Sequence, residues 1–155
     1  MAHMRPGSAG KALYMNNWQR FLLYGSLGWI VEIAFTGVGS VLLRDWNLTG
    51  HTYLWMFPIY ATAAFGMEVI HDRLRGKHWL LRGLAYTGFI FAVEYAGGWL
   101  LMQLLGACPW EYPANSPNVD GLIRLDFAPA WMTVAFIFER VHDRLMPHAK
   151  KRLLR

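Results

Sequence analysis

Four apolar stretches, parted by polar breaks, leave this 155-residue chain little choice of architecture. They run from Trp18 to Leu43, Tyr53 to Ile70, Trp79 to Leu105 and Phe127 to Val141. A helix needs roughly 17–25 mostly apolar residues to cross a bilayer. The first and third stretches are ample. The second and fourth reach that length once their ends are counted, which gives spans at 18–43, 53–74, 79–105 and 126–146. Composition argues the same way, because only 16% of the residues are charged, against about 25% in a soluble domain. So few charges cannot coat a small globule, which excludes a soluble enzyme, and 55% hydrophobic residues exclude a disordered chain. The single cysteine, Cys108, excludes a disulfide framework and a cysteine-based zinc site. The first span is too long for a cleaved signal peptide and no small-residue cleavage site follows it.

The expected fold is therefore an all-α membrane protein, a four-helix transmembrane bundle forming one integral membrane domain over 1–155. Lys and Arg orient it. With the N-terminus in the cytoplasm, thirteen of the fifteen Lys and Arg residues fall inside and only Arg44 and Arg124 fall outside, a strong positive-inside bias. That places loop 106–126 outside and the basic tail 147–155 in the cytoplasm, both termini inside, in the inner (plasma) membrane of a bacterium. The net charge of +5 then serves anionic membrane lipid rather than nucleic acid.

The chain also repeats itself. Residues 58–74 align without a gap on 129–145, and nine of those seventeen positions are identical, among them Glu68 with Glu139 and His71 with His142. The first and third spans align at an offset of 62, which puts Tyr24 on Tyr86 and Glu32 on Glu94. The unit is a helix pair used twice in the same orientation, a parallel repeat whose axis lies along the membrane normal and whose site lies at the repeat interface.

Each span carries one glutamate: Glu32, Glu68, Glu94 and Glu139. A carboxylate in hydrocarbon is costly, so such residues face the bundle interior and mark function. Small residues stand one or two turns away from each: Gly28 and Gly25, Ala64 and Ala61, Gly97 and Gly98, and Ala135. They allow close helix approach, so the acid faces are predicted to be the packing faces. Glu68 with His71, and Glu139 with His142, are i,i+3 neighbours. The order Glu, Glu-x-x-His, Glu, Glu-x-x-His is the ferritin-like ligand pattern of di-iron and di-manganese carboxylate bundles. Four carboxylates neutralise two divalent cations, and imidazole with carboxylate suits Fe or Mn. The expected metal ligands are thus Glu32, Glu68, His71, Glu94, Glu139 and His142. Asp72, Asp143, Tyr24 and Tyr86 would hydrogen-bond those ligands from outside. Depth sets a condition: Glu32 lies twelve residues from Arg20 but Glu68 only five from Arg73, a difference of about 10 Å. Helix tilt must absorb it for one centre to form. Otherwise the acids make two layers and a proton or cation pathway fits better.

Loop 106–126 is rich in Pro and in Asn/Asp-Gly elements, and Trp110 and Tyr112 are placed to dip it onto the bundle as a cap. Here the chain resembles a known family. Cys108-Pro-Trp-Glu-Tyr112 followed by Gly121-Leu-Ile-Arg-Leu125 is similar to a loop of the bacterial membrane proteins grouped as putative ABC-transporter type IV, which also include the vertebrate transmembrane protein 229 proteins. The likeness extends to Gly28-Trp-Ile-Val-Glu32, Pro58-Ile-Tyr60, Arg73-Leu-Arg-Gly76 and Glu94-Tyr-Ala-Gly-Gly98. It implies a small four-span membrane protein. No phosphate-binding loop is present, so the chain hydrolyses no nucleotide itself.

Three functions fit these residues. The first is a membrane metalloprotein with two Fe or Mn ions, an oxidoreductase acting on a lipid or quinone-like apolar substrate entering from the bilayer. The second is a transport protein passing protons or divalent cations. The third is a non-catalytic subunit of a larger membrane complex. Four spans make a poor pore alone, which favours a buried site or a homodimer.

Overall fold

The computed structural model describes residues 15–146. The basic tail 147–155, and Arg5 and Lys11 of the N-terminal segment, lie outside the described residues. Four helices account for the four apolar stretches: α1 (Asn17–Ser40), α2 (Met56–Leu74), α3 (Trp79–Leu105) and α4 (Ala128–Leu145). α1 packs on α2, α2 on α3 and α3 on α4.

Local chemistry sets the ends. Asn16 caps α1 by accepting from the Gln19 amide at 2.9 Å, while the Gln19 side chain accepts from the Asn16 amide at 3.0 Å, satisfying donors that the first turn leaves free. α1 runs into a 3-10 turn, Val41–Leu43, so the helical path covers the whole first stretch. α3 stops at Gly106, whose φ of +76° admits the left-handed cap that a side chain resists. α4 begins two residues later than expected, because Leu125–Phe127 form a separate 3-10 turn before Pro129 enters its first turn.

The faces divide sharply. Ile30, Val38, Leu84, Leu104 and Ile137 are exposed, while Glu68, Glu94, Glu139, His71 and His142 are buried. This is the inverse of a soluble globule. The helical stretches Asn17–Leu43 and Trp79–Leu105 are long and apolar enough to cross a membrane, and only 11% and 22% of their apolar windows are buried. A soluble core helix would hide most of that surface. α2 and α4 are shorter, 19 and 18 residues, and carry the paired acids and histidines.

The small residues beside the acids are packing faces, as expected. Ala61 and Ala135 are fully buried. A side chain at Gly28 would overlap the Tyr60 ring, and one at Gly98 would press on Leu122, Cys108 and Trp110. Loop 106–127 is more ordered than a plain turn-rich loop. It folds into a two-stranded antiparallel hairpin, β1 (Asn118–Val119) with β2 (Ile123–Arg124), turning at Asp120 and Gly121, both at positive φ. Asp-Gly is the residue pair that such a turn favours. Trp110 is buried and its indole N–H donates to the Leu122 carbonyl at 3.1 Å, which ties the hairpin down.

The other loop at this end, 44–55, folds back along α1. Thr36 exchanges hydrogen bonds with the backbone of His51, each at 2.9 Å. A Cβ on Gly50 would collide with the Ile33 carbonyl, a backbone atom that cannot turn aside. Gly50→Ala is therefore expected to cost about 1–3 kcal/mol, measured as a lower denaturation midpoint in detergent. An unchanged midpoint would show that the loop does not rest on α1.

Candidate functional site

The titratable groups inside the bundle form two tiers. The first lies toward the α2–α3 turn. Glu68 accepts from the Tyr24 hydroxyl at 2.7 Å, pairs with the Arg20 guanidinium, and has His142 Nδ1 at 3.2 Å. Glu139 is held in the same way: the Tyr86 hydroxyl donates to it at 2.6 Å, Arg82 lies at 3.2 Å and His71 Nδ1 at 3.1 Å. Each arginine also stacks over a phenylalanine, Arg20 on Phe65 and Arg82 on Phe136. These residues correspond at the offsets of 62 and 71 that the sequence repeat displays.

The pairing crosses between repeats. Glu68 meets the histidine of α4, and Glu139 meets the histidine of α2, so the i,i+3 partners on one helix serve different clusters. The two imidazoles meet edge to face, 5.6 Å apart, between them. Four helices are thus joined by charge-assisted hydrogen bonds, which are stronger than neutral ones.

The clusters differ in one respect. His71 Nε2 reaches Asp143 at 3.2 Å, and Asp143 also accepts from Arg75 at 2.8 Å. Among the described residues His142 Nε2 has no hydrogen-bond partner, and Asp72, one oxygen of which lies 3.6 Å from Arg75, does not reach it. Arg75 falls on Met146 in the repeat, so the cation that would draw Asp72 into place is missing. Asp143 therefore fills the outer hydrogen-bonding position expected of it, and Asp72 does not.

The second tier lies nearer the loops. Glu32 accepts from the Thr52 hydroxyl at 2.6 Å and from the Tyr60 hydroxyl at 2.9 Å. Glu94 is only 4% exposed, and one of its oxygens has no hydrogen-bond partner. Trp131, which falls on Tyr60 in the repeat, stands beside Glu94, and its indole N–H approaches that carboxylate without closing a full hydrogen bond. Among the described residues, no Lys, Arg or His pairs with Glu32 or Glu94. A chamber of about 430 Å³ joins the tiers, lined by Tyr24 at one end, Glu32, Glu94 and Trp131 along its length, and Trp110 and Tyr112 at the loop end. Trp110 and Tyr112 of loop 106–127 thus form part of the chamber wall. Burial, and after it the Glu94 and Glu32 charges, push the Tyr112 phenol above its ordinary range, so it stays a neutral hydroxyl.

In this geometry Glu32, Glu68, His71, Glu94, Glu139 and His142 stand in two tiers and do not meet at one centre. Tyr24 and Glu32 are eight residues apart on α1, as are Tyr86 and Glu94 on α3, about 12 Å of helix rise. Tilt does not absorb the depth difference. The first-tier carboxylates are already engaged by Arg, Tyr and His, and among the described residues the imidazole that lines the second-tier chamber, His51, pairs with neither Glu32 nor Glu94. Among the described residues, no group of three or more His, Cys, Asp or Glu is arranged to hold a metal ion.

Arg20 and Arg82 were read as charges marking the cytoplasmic side, and their place on the buried carboxylates was missed. A signal was present: both stand four residues before the paired tyrosines, at the same offset of 62. Tyr60 and Thr52, the donors to Glu32, carried no such signal.

No solved structure matches the chain. Residues 19–154, which hold both tiers and the loop cap, match the profile of the family described as Putative ABC-transporter type IV, and the chain is a member of that family of membrane proteins.

Proposed function

We propose that this protein is a four-span transport protein of a bacterial inner membrane, built from two parallel helix pairs with both termini in the cytoplasm, and that its interior conducts protons between the two tiers. One observation carries the reading. Tyr24 lines the chamber that holds Glu32 and Glu94, and its hydroxyl also reaches Glu68 and, at 3.2 Å, His142. It is the side chain common to both tiers. Chains of intramembrane Glu and His are the parts from which proton relays are made, and a site between parallel repeats is where transporters place them. Arg20 and Arg82 close the path at the cytoplasmic end, and the loop hairpin closes it outside.

The test is proton flux into liposomes that carry the purified chain and a trapped pH dye, driven by a potassium-diffusion potential. Wild-type protein is expected to acidify the lumen above protein-free liposomes. Glu94→Gln is expected to slow this at least tenfold, while Glu94→Asp keeps most of it. Flux no greater than in empty liposomes would end the transport reading. Orientation has its own check. A reporter fused after Arg155 is expected to be active on the cytoplasmic side, and periplasmic activity would reverse the inside and outside of the path.

A further inference from the structure

The two tiers differ in charge balance, and the difference points to a ligand. Glu68 and Glu139 each carry an arginine. Glu32 has only two hydroxyl donors, and Glu94 has an oxygen with no partner while 96% buried. A carboxylate taken out of water needs a counter-charge, and among the described residues none is supplied at this tier.

The space beside these acids is far larger than a bare ion requires. About 430 Å³ lies in the range of sites for small organic molecules. Its walls are mainly apolar and aromatic, with Tyr53, Tyr60, Trp110, Tyr112 and Trp131 around the two acids. The lining also carries Glu111 and one imidazole, His51, toward the loops, but among the described residues these groups are not gathered to hold a metal ion, and apolar walls leave most coordination positions of one unfilled. Aromatic faces attract organic cations instead, and they do so most strongly away from water.

We propose that this chamber binds a monovalent organic cation with an apolar body, its charged nitrogen set between Glu94 and Glu32 and its body against the aromatic walls. The proposal deepens the transport reading by naming a substrate class, and rests on it only for movement across the membrane. Binding needs the chamber alone. Glu94 is the principal anchor, since Tyr60 and Thr52 already stabilise the charge on Glu32. Trp131 supplies a ring face.

Equilibrium dialysis of the detergent-purified full chain with radiolabelled benzyltrimethylammonium tests this. The expected result is saturable binding that unlabelled cation displaces. The uncharged carbon isostere, neopentylbenzene, should displace it at least tenfold less well. The near-isosteric double variant Glu32→Gln/Glu94→Gln should lose at least tenfold in affinity, whereas Asp120→Asn, in the hairpin turn and outside the chamber lining, should bind as the wild type does. Equal displacement by the isostere overturns the proposal, and that comparison needs no variant to fold. Unchanged binding by a double variant that elutes as the wild type does on size exclusion overturns it as well. Binding without proton flux in liposomes would refute the transport reading and leave this site standing. Flux without binding would do the reverse.

Discussion

Arg82→Ala is expected to destabilise the protein by about 3 kcal/mol, the lower end of the cost of breaking a buried ion pair, because the guanidinium is partly exposed. Glu139, which it leaves behind, is buried and keeps only Tyr86 and His71 as partners. The penalty comes from that stranded charge rather than from the pair itself, which is why a second substitution is informative. Adding Glu139→Gln removes the charge and keeps the shape, so the double variant should recover most of the loss. Denaturation in detergent micelles, followed by tryptophan fluorescence, reads both values. A loss under about 0.5 kcal/mol, the scale of an exposed pair, would place Arg82 in solvent. A double variant no better than the single would show that the loss comes from packing against Phe136.

The second large effect separates two tyrosines that the repeat makes equivalent. Tyr24→Phe removes the hydroxyl shared by the chamber and the first tier, and proton flux is expected to fall at least tenfold. Tyr86→Phe removes an equally short hydrogen bond, to Glu139, but Tyr86 is fully buried and does not line the chamber. Flux there should stay within about twofold of wild type, while stability drops by about 1–3 kcal/mol for the weakened hold on a buried carboxylate. Equal loss of flux in both variants would mean that the path runs through both clusters and not through Tyr24 alone. The two clusters differ in a second respect, since Arg75 draws Asp143 onto His71 whereas Met146 offers His142 nothing equivalent.

Much of the architecture was legible in one dimension. Apolar runs long enough for a bilayer, broken by Arg-Gly-Lys and by Pro-rich loops, define four helices, because helix length and end signals are local properties. The packing faces were legible too: Gly28, Ala61, Ala64 and Ala135 stand one or two turns from the acids, and helical periodicity puts such residues on one side. Trp110 was recognised as part of a cap from its place in a turn-rich loop. The hairpin around Asp120-Gly121 was not, since strands of two residues leave no periodic trace.

The site itself was decided by tertiary structure. Residue order implied that six ligands meet at one level, but whether side chains on different helices meet depends on how far one helix slides against its neighbour. Loops 44–55 and 106–127 set that slide, and no pattern within a span records it. Here it places Glu68 level with Tyr24 instead of Glu32, and Glu139 level with Tyr86 instead of Glu94. The arginines show the same limit. Arg20 near a helix end has one sequence signature whether it reaches outward to a lipid phosphate or inward to a carboxylate, and only the position of Glu68 on the neighbouring helix settles which. The sequence by itself determined the helices, their buried faces and the twofold correspondence of residues. The packed bundle decided that histidines pair across the repeats and that Glu32 and Glu94 stand apart, without a cation among the described residues, because those outcomes depend on distances between helices, which local periodicity does not encode.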